Sequence, residues 1–225
     1  MRKLFFLAVM LVSSLAVMAE DNYVSAGAAV SKDLKKATVN VDLTNSVQYV
    51  AFQMDIVFPA TMKLTSSAPV LTARLVDNDG NTEDFAVAYQ MVNDYTLRVL
   101  AYNMDNRAIA GTSGDRLFSV TLTDANAVAK AATDWTPTLE KVLFVSANDL
   151  AETNLTPVSE TDGYLLGDVN EDGKVNALDI TATVAVIFKR PEASNYDAKK
   201  ADVNGDEKVN ALDITKIVSI IFDKE

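Results

Sequence analysis

The 225-residue chain contains no cysteine and no histidine. Without cysteine it has no disulfide brace and no thiolate nucleophile. Without histidine, Ser-His-Asp triads, Cys-His dyads and the zinc hydrolase motifs are excluded outright. Tryptophan occurs once, at Trp135, so only one indole is on offer for stacking on a sugar. Basic residues are scarce too: 20 Lys and Arg against 31 Asp and Glu leave a net charge of −11, a poor match for nucleic acid. Long apolar runs are confined to the start. Arg2 and Lys3, the apolar stretch Leu4 to Val12, and Val17-Met18-Ala19 have the order of a secretory signal peptide cleaved after Ala19. No Cys follows that point, so no lipid anchor is expected there, and no later stretch is suited to a membrane span. An exported chain without disulfides fits a bacterial protein, secreted or at the cell surface.

Apolar residues, 49% of the chain, are ample for a packed core, and from Tyr23 they recur with period two. Val39, Val41 and Leu43 alternate with polar neighbours. Phe52, Met54, Ile56 and Phe58 do the same, and Pro59 ends that run. Further strands are predicted over Leu71 to Val76, Phe85 to Val92, Tyr95 to Tyr102, Leu117 to Leu122, Leu139 to Val145 and within Asn154 to Ser159. Asn93-Asp94 reads as a tight hairpin turn. Ala125 to Ala132 reads as a short helical turn, and the stretch carrying Trp135 as a loop. Many short strands between turn signals indicate an antiparallel β-sandwich over residues 22–163. Asp77-Asn78-Asp79-Gly80-Asn81 invites a metal-loop reading, but position 12 of such a loop is Ala88, so a solvated hairpin turn is expected.

The C-terminal part is organised differently. Asp168-Val169-Asn170-Glu171-Asp172-Gly173-Lys174-Val175-Asn176-Ala177-Leu178-Asp179 recurs 34 positions later from Asp202 to Asp213. Oxygen-bearing side chains fall at positions 1, 3, 5, 9 and 12 of both copies, the spacing that wraps a short segment around a calcium ion. The expected ligands of a first ion are Asp168, Asn170, Asp172, the carbonyl of Lys174, Asn176 and Asp179. Those of a second ion are Asp202, Asn204, Asp206, the carbonyl of Lys208, Asn210 and Asp213. Gly173 supplies a positive-φ turn at position 6 of the first loop, whereas the second has Glu207 there and Gly205 at position 4. The second site is therefore expected to be the more strained and the weaker. A helix follows each loop. Ile180, Val184, Ile187 and Phe188, and likewise Ile214, Ile217, Val218, Ile221 and Phe222, are predicted to form the faces that pack together. No amphipathic helix enters either loop, so these are loop–helix half-units and not full EF-hands. Pro191 stops the first helix, and residues 192–200 connect the halves around a short turn near Tyr196.

With both copies in register, residues 167–225 resemble a type I dockerin domain, and the C-terminal unit is taken as residues 164–225. The resemblance implies calcium-dependent binding to a cohesin-type domain. It places the contacts at loop positions 10 and 11, here Ala177-Leu178 and Ala211-Leu212. That identity permits a partner to engage either copy, related by a half-turn. Lys189 and Arg190 against Asp223 and Lys224 break the symmetry. The sandwich in turn resembles a cohesin domain, through Tyr49 to Pro59 followed by Leu64, through Leu117 to Leu122, and through Phe144 to Ser159 as a closing hairpin. The expected fold is thus mainly β with a small α module: a cohesin-like, jelly-roll or Ig-like sandwich followed by a two-helix calcium-binding dockerin.

Three functions fit. The first is a non-catalytic adhesion or scaffold protein in extracellular polysaccharide handling. The second is a carbohydrate-binding module carried by a dockerin, with Trp135 as the candidate stacking residue beside Tyr89, Tyr95 and Tyr102. The third is a small glycoside hydrolase drawing two carboxylates from Asp55, Glu83, Asp84, Asp94 and Asp105. The cohesin-type partner lies on another chain or on this one, through head-to-tail association or by folding back.

Overall fold

The computed structural model describes residues 22–76, 84–109, 112–126, 131–159 and 163–222. The predicted signal segment, the 77–83 turn and the Asp223-Lys224 pair lie outside them. Two sheets face each other. One is built from β1 (Tyr23–Val30), β2 (Lys36–Asn45), β4 (Leu64–Ser66), β5 (Val70–Leu71), β8 (Thr112–Asp124), β11 (Thr156–Ser159) and β12 (Tyr164–Leu165). Its main order is β11-β1-β2-β8-β4, with β12 also on β1 and β5 also on β8. The other contains β3 (Tyr49–Val57), β6 (Ala86–Asn93), β7 (Thr96–Tyr102), β9 (Thr138–Ser146) and β10 (Glu152–Asn154), in the order β10-β9-β3-β7-β6.

Alternation decides which side chains meet. Val39, Val41 and Leu43 of β2 and Phe52, Met54 and Ile56 of β3 are all buried between the sheets. The Phe52 ring lies parallel to Phe118 at 5.9 Å and near Phe144 at 5.5 Å, joining the two layers through one aromatic stack. The Asn93-Asp94 turn forms as expected, linking β6 to β7 with Asn93 opposite Thr96. Between Asp42 and Val41 the register with β8 slips, so Leu117 is an extra residue between Arg116 and Phe118.

Three strand expectations need correction. The sandwich is not wholly antiparallel, because β11 and β12 both run parallel to β1. The chain leaves β10 in one sheet, buries Leu155, and enters β11 in the other, so the predicted single last strand is two. The run from Leu71 to Val76 is strand only as far as Leu71. The N–H groups of Leu75 and Val76 both donate to the Thr72 carbonyl, forming a turn that drops Leu75 into the core. The same turn aims Arg74 inward, where its Nη1 donates to the Leu43 and Asp115 carbonyls and its Nη2 to Asn45 Oδ1. Trp135 closes a 3-10 turn over Ala132–Trp135 and is fully buried. Its Nε1 donates to the Leu34 carbonyl at 3.0 Å, and its ring meets Phe58 edge-on. An indole enclosed in this way has no face to offer a sugar, so the stacking role expected for Trp135 fails.

The C-terminal unit holds α1 (Ala177–Ile187), a 3-10 turn (Pro191–Asn195), α2 (Ala198–Ala201) and α3 (Ala211–Phe222). Its small core joins Val169 and Val203, equivalent in the two loops, to Ala182, Ala201 and Ile217. The helix faces differ from expectation at their ends. Small Ala182 and Ala185 are the buried apolar side chains of α1, whereas Phe188 and Phe222 are 69% and 74% exposed. Phe188 caps the C-terminus of α1 and Phe222 ends the last described turn of α3, so neither lies within the helix pair.

The join between the two parts is short and hydrogen-bonded. Although the expected boundary puts Tyr164 and Leu165 with the C-terminal unit, they extend the sandwich sheet opposite Ala29 and Val30, and the Leu166 N–H donates to Val30. The chain then turns at Gly167, whose φ of 93° and whose Val175 neighbour, 3.1 Å from a Cβ placed there, both favour glycine.

Candidate metal loops and partner surface

The two loops share most of their hydrogen bonds. In the first, Asp168 accepts from the N–H groups of Asp172 and Gly173, and Asn170 Oδ1 from that of Asp172. In the second, Asp202 accepts from Gly205, Asp206 and Glu207, and Asn204 Oδ1 from Asp206. Asp172 and Asp206 accept from Lys174 and Lys208 two residues on. Position 12 staples each loop to its helix. Asp179 accepts from Val169, Asn170 and Asn176, while Asp213 accepts from Asn204 and Asn210. Asn176 and Asn210 turn their Oδ1 toward the Leu178 and Leu212 N–H groups, capping the helices.

The expected strain difference between the loops does not hold. Both use the left-handed conformation at positions 4 and 6. The first places Glu171 (φ 60°) and Gly173 (φ 79°) there, and the second Gly205 (φ 77°) and Glu207 (φ 66°). Each loop therefore carries one glycine and one glutamate in that conformation, in swapped positions. Comparing position 6 alone suggested an asymmetry that position 4 cancels.

Among the described residues, no cluster of three or more Asp or Glu carboxylates is preassembled to grip a metal. Each loop instead mixes three aspartates with asparagine amide oxygens and a carbonyl, a hard, all-oxygen set of the kind calcium takes. Carboxylate oxygens have about two lone-pair directions each, so a backbone N–H and an ion can share one. Burial, opposed in part by backbone N–H groups, raises the Asp168 carboxyl above the usual value, and Asp179 and Asp172 push in the same direction. Asp202 is raised by burial as well, with Asp213 adding to it and Arg116 opposing it. These groups have negative charge in excess, which a bound cation would relieve.

The Ala-Leu pairs expected to meet a partner are exposed in both copies, with Leu178 at 59% and Leu212 at 60%. Phe188 and Phe222 add a second exposed apolar residue to each copy, again 34 positions apart. Reading them as part of the helix packing hid them; their identical place in the repeat was the signal available. Of the glycosidase candidates, Asp55 is bound to Arg98 at 2.6 Å and Lys141 at 3.1 Å, Asp94 sits in the β6–β7 turn, and Glu83 lies outside the described residues. Tyr89 and Tyr102 are each about two-fifths exposed on neighbouring strands.

The C-terminal unit rests on its own sandwich, but not through the Ala-Leu pairs. Asp42 of β2 receives Lys199 Nζ at 2.9 Å and lies 3.5 Å from Arg116 Nε. Lys200 pairs with Glu171 at 3.0 Å and sits over the Tyr164 ring. Burial at this junction pushes the Tyr164 hydroxyl up to about 12. Among the described residues no helix is long and apolar enough to cross a membrane.

No curated protein matches the chain. Several solved structures are similar to it. A non-cellulosomal cohesin from the hyperthermophilic archaeon Archaeoglobus fulgidus is 15% identical over 61% of this chain and 86% of its own, with a TM-score of 0.44. CaCohA2 from Clostridium acetobutylicum is 19% identical over 66% and 93%, with a TM-score of 0.45. The second type II cohesin module from the cellulosomal adaptor ScaA scaffoldin of Acetivibrio cellulolyticus is 11% identical over 65% and 98%, with a TM-score of 0.47. The duplicated C-terminal segment is matched by a family model as well: residues 166–221 fit the dockerin type I domain.

Proposed function

We propose that this is a secreted, non-catalytic adhesion or scaffold protein of an extracellular polysaccharide-handling system. In this reading residues 1–19 direct export, residues 22–163 together with Tyr164 and Leu165 form the cohesin-like sandwich, and the chain from Leu166 onward forms a dockerin folded by two calcium ions. Asp168, Asn170, Asp172, the Lys174 carbonyl and Asp179 hold one ion. Asp202, Asn204, Asp206, the Lys208 carbonyl and Asp213 hold the other. Asn176 and Asn210, whose Oδ1 atoms cap the helices, act through water. The calcium-ordered unit presents its helix edge to a cohesin-type domain on another chain or on a second copy of this one.

The observation that carries this reading is the repetition of exposed apolar residues. Leu178 with Phe188 and Leu212 with Phe222 stand at equivalent positions of two loop–helix units whose helix caps are equivalent. Such a surface is the same after a half-turn exchanges the copies, so either can dock. The test is binding of the full chain to a panel of cohesin domains, in calcium and in chelator. Leu178→Asp or Leu212→Asp alone should weaken capture less than about threefold, because the other copy serves. Both together should weaken it by about 100-fold or more, as expected when an apolar anchor is lost from each mode. Binding that persists in chelator, or a single variant as damaging as the double one, refutes the two-mode dockerin reading.

A further inference from the structure

The loops match in strain and in most of their hydrogen bonds, yet their surroundings differ. Beside the second loop is a cleft of about 400 Å³ lined by Asp42, Arg74 and Arg116 from the sandwich and by Lys199, Asp202 and Glu207 from the C-terminal unit. The Arg116 side chain is only 12% exposed, and its Nε has no hydrogen-bond partner. A Cβ placed on Gly205, at position 4 of the loop, would lie 3.9 Å from Arg116 Nη1. Asp42, the carboxylate beside Arg116, is shared with Lys199. Arg116 thus has charge left over, directed at the loop. The first loop meets an ammonium group instead, Lys200, and that group is already paired with Glu171.

We propose that Arg116, with Arg74 behind it, makes the sandwich part of the second calcium site. The guanidinium shares the cleft with Asp202 and Glu207 and opposes an ion entering there, so the second loop binds calcium more weakly than the first. The inference rests on the calcium reading above. A unit charge repels a divalent ion twice as strongly as a monovalent one, and a cleft screens that repulsion less than open water does. Loop strain would have weakened the second site by itself. The sandwich weakens it only while the two parts are docked, so calcium loading of this loop reports on the docking.

The test is calorimetric titration of the full chain with calcium, with one loop silenced at a time. In an Asp168→Ala background, where the second loop alone binds, Arg116→Met should raise the affinity by about three- to tenfold. Arg116→Lys, which keeps the charge, should stay within about twofold of the unaltered residue. In an Asp202→Ala background, Arg116→Met should leave the first loop's affinity unchanged. An unchanged second-loop affinity, or an equal change in both loops, overturns the proposal. A chain that takes up no calcium at all overturns the calcium reading together with it, so the two failures are distinguishable.

Discussion

Asp55 in the sandwich and Asp179 in the C-terminal unit are buried to nearly the same degree, 1% and 0% exposed. The difference lies in what meets them. Asp55 has two cations of its own sheet, Arg98 and Lys141, whose hydrogen bonds hold its carboxyl below the usual range. Asp179 has three backbone N–H groups, and its loop adds Asp168 and Asp172 with no arginine among them. The sandwich carries its own counter-charge. The core of the C-terminal unit is small, with Ala182, Ala201 and Ile217 at its centre, and in the proposed reading bound calcium supplies the counter-charge and much of the folding energy.

Removing calcium is the strongest way to break that comparison. In excess chelator the helical circular-dichroism signal of α1 and α3 should be lost while the strand signal stays. Helices that persist would put the C-terminal unit on the same footing as the sandwich. The reverse experiment is Trp135→Ala, which should destabilise the sandwich by about 3–5 kcal/mol, as large-to-small core changes do. Calcium titration of that variant, below its melting temperature, should be unaltered at the first loop.

Acid should separate the two parts by sign. Asp55 is depressed from the ordinary 3.8, so its contribution is present above 3.8 and lost as the pH falls through its folded value. Asp168 and Asp202 are raised from 3.8, so in the calcium-free chain their contribution is present below 3.8 and lost as the pH rises through their folded values. Lowering the pH toward 3.8 in chelator should therefore restore part of the helical signal, and going further should weaken the sandwich, as followed by Trp135 fluorescence. Parallel loss of both signals on acidification would erase the distinction. The smallest expected effect concerns the two loops: Glu171→Gly and Glu207→Gly should each stabilise the calcium-loaded chain by about 0.5–1 kcal/mol, and equally. Unequal gains in thermal melts would show that the swapped glycines are not equivalent.

The repeated loops were legible because their spacing is local: the pattern of Asp168 to Asp179 recurs from Asp202 to Asp213. The strands of the two main layers were legible for the same reason, through alternation within β2 and β3. What escaped depends on partners far along the chain. Nothing in the sequence around Trp135 shows that the Leu34 carbonyl, 101 residues earlier, awaits its N–H. Period two gives a strand's faces but not its direction, so the parallel placement of β11 and β12 was hidden. Helical periodicity assigned Phe188 to a packed face because it does not register where the helix stops. The left-handed turn at Glu171 was missed because glutamate gives no sign of it.

The parallel pairing of β12 with β1 has a mechanical consequence. A partner pulling on the C-terminal unit against a hold at Asn22 would draw β1 and β12 from opposite ends. The hydrogen bonds at Ala29, Val30 and Leu166 would then be loaded together in shear instead of opening one by one.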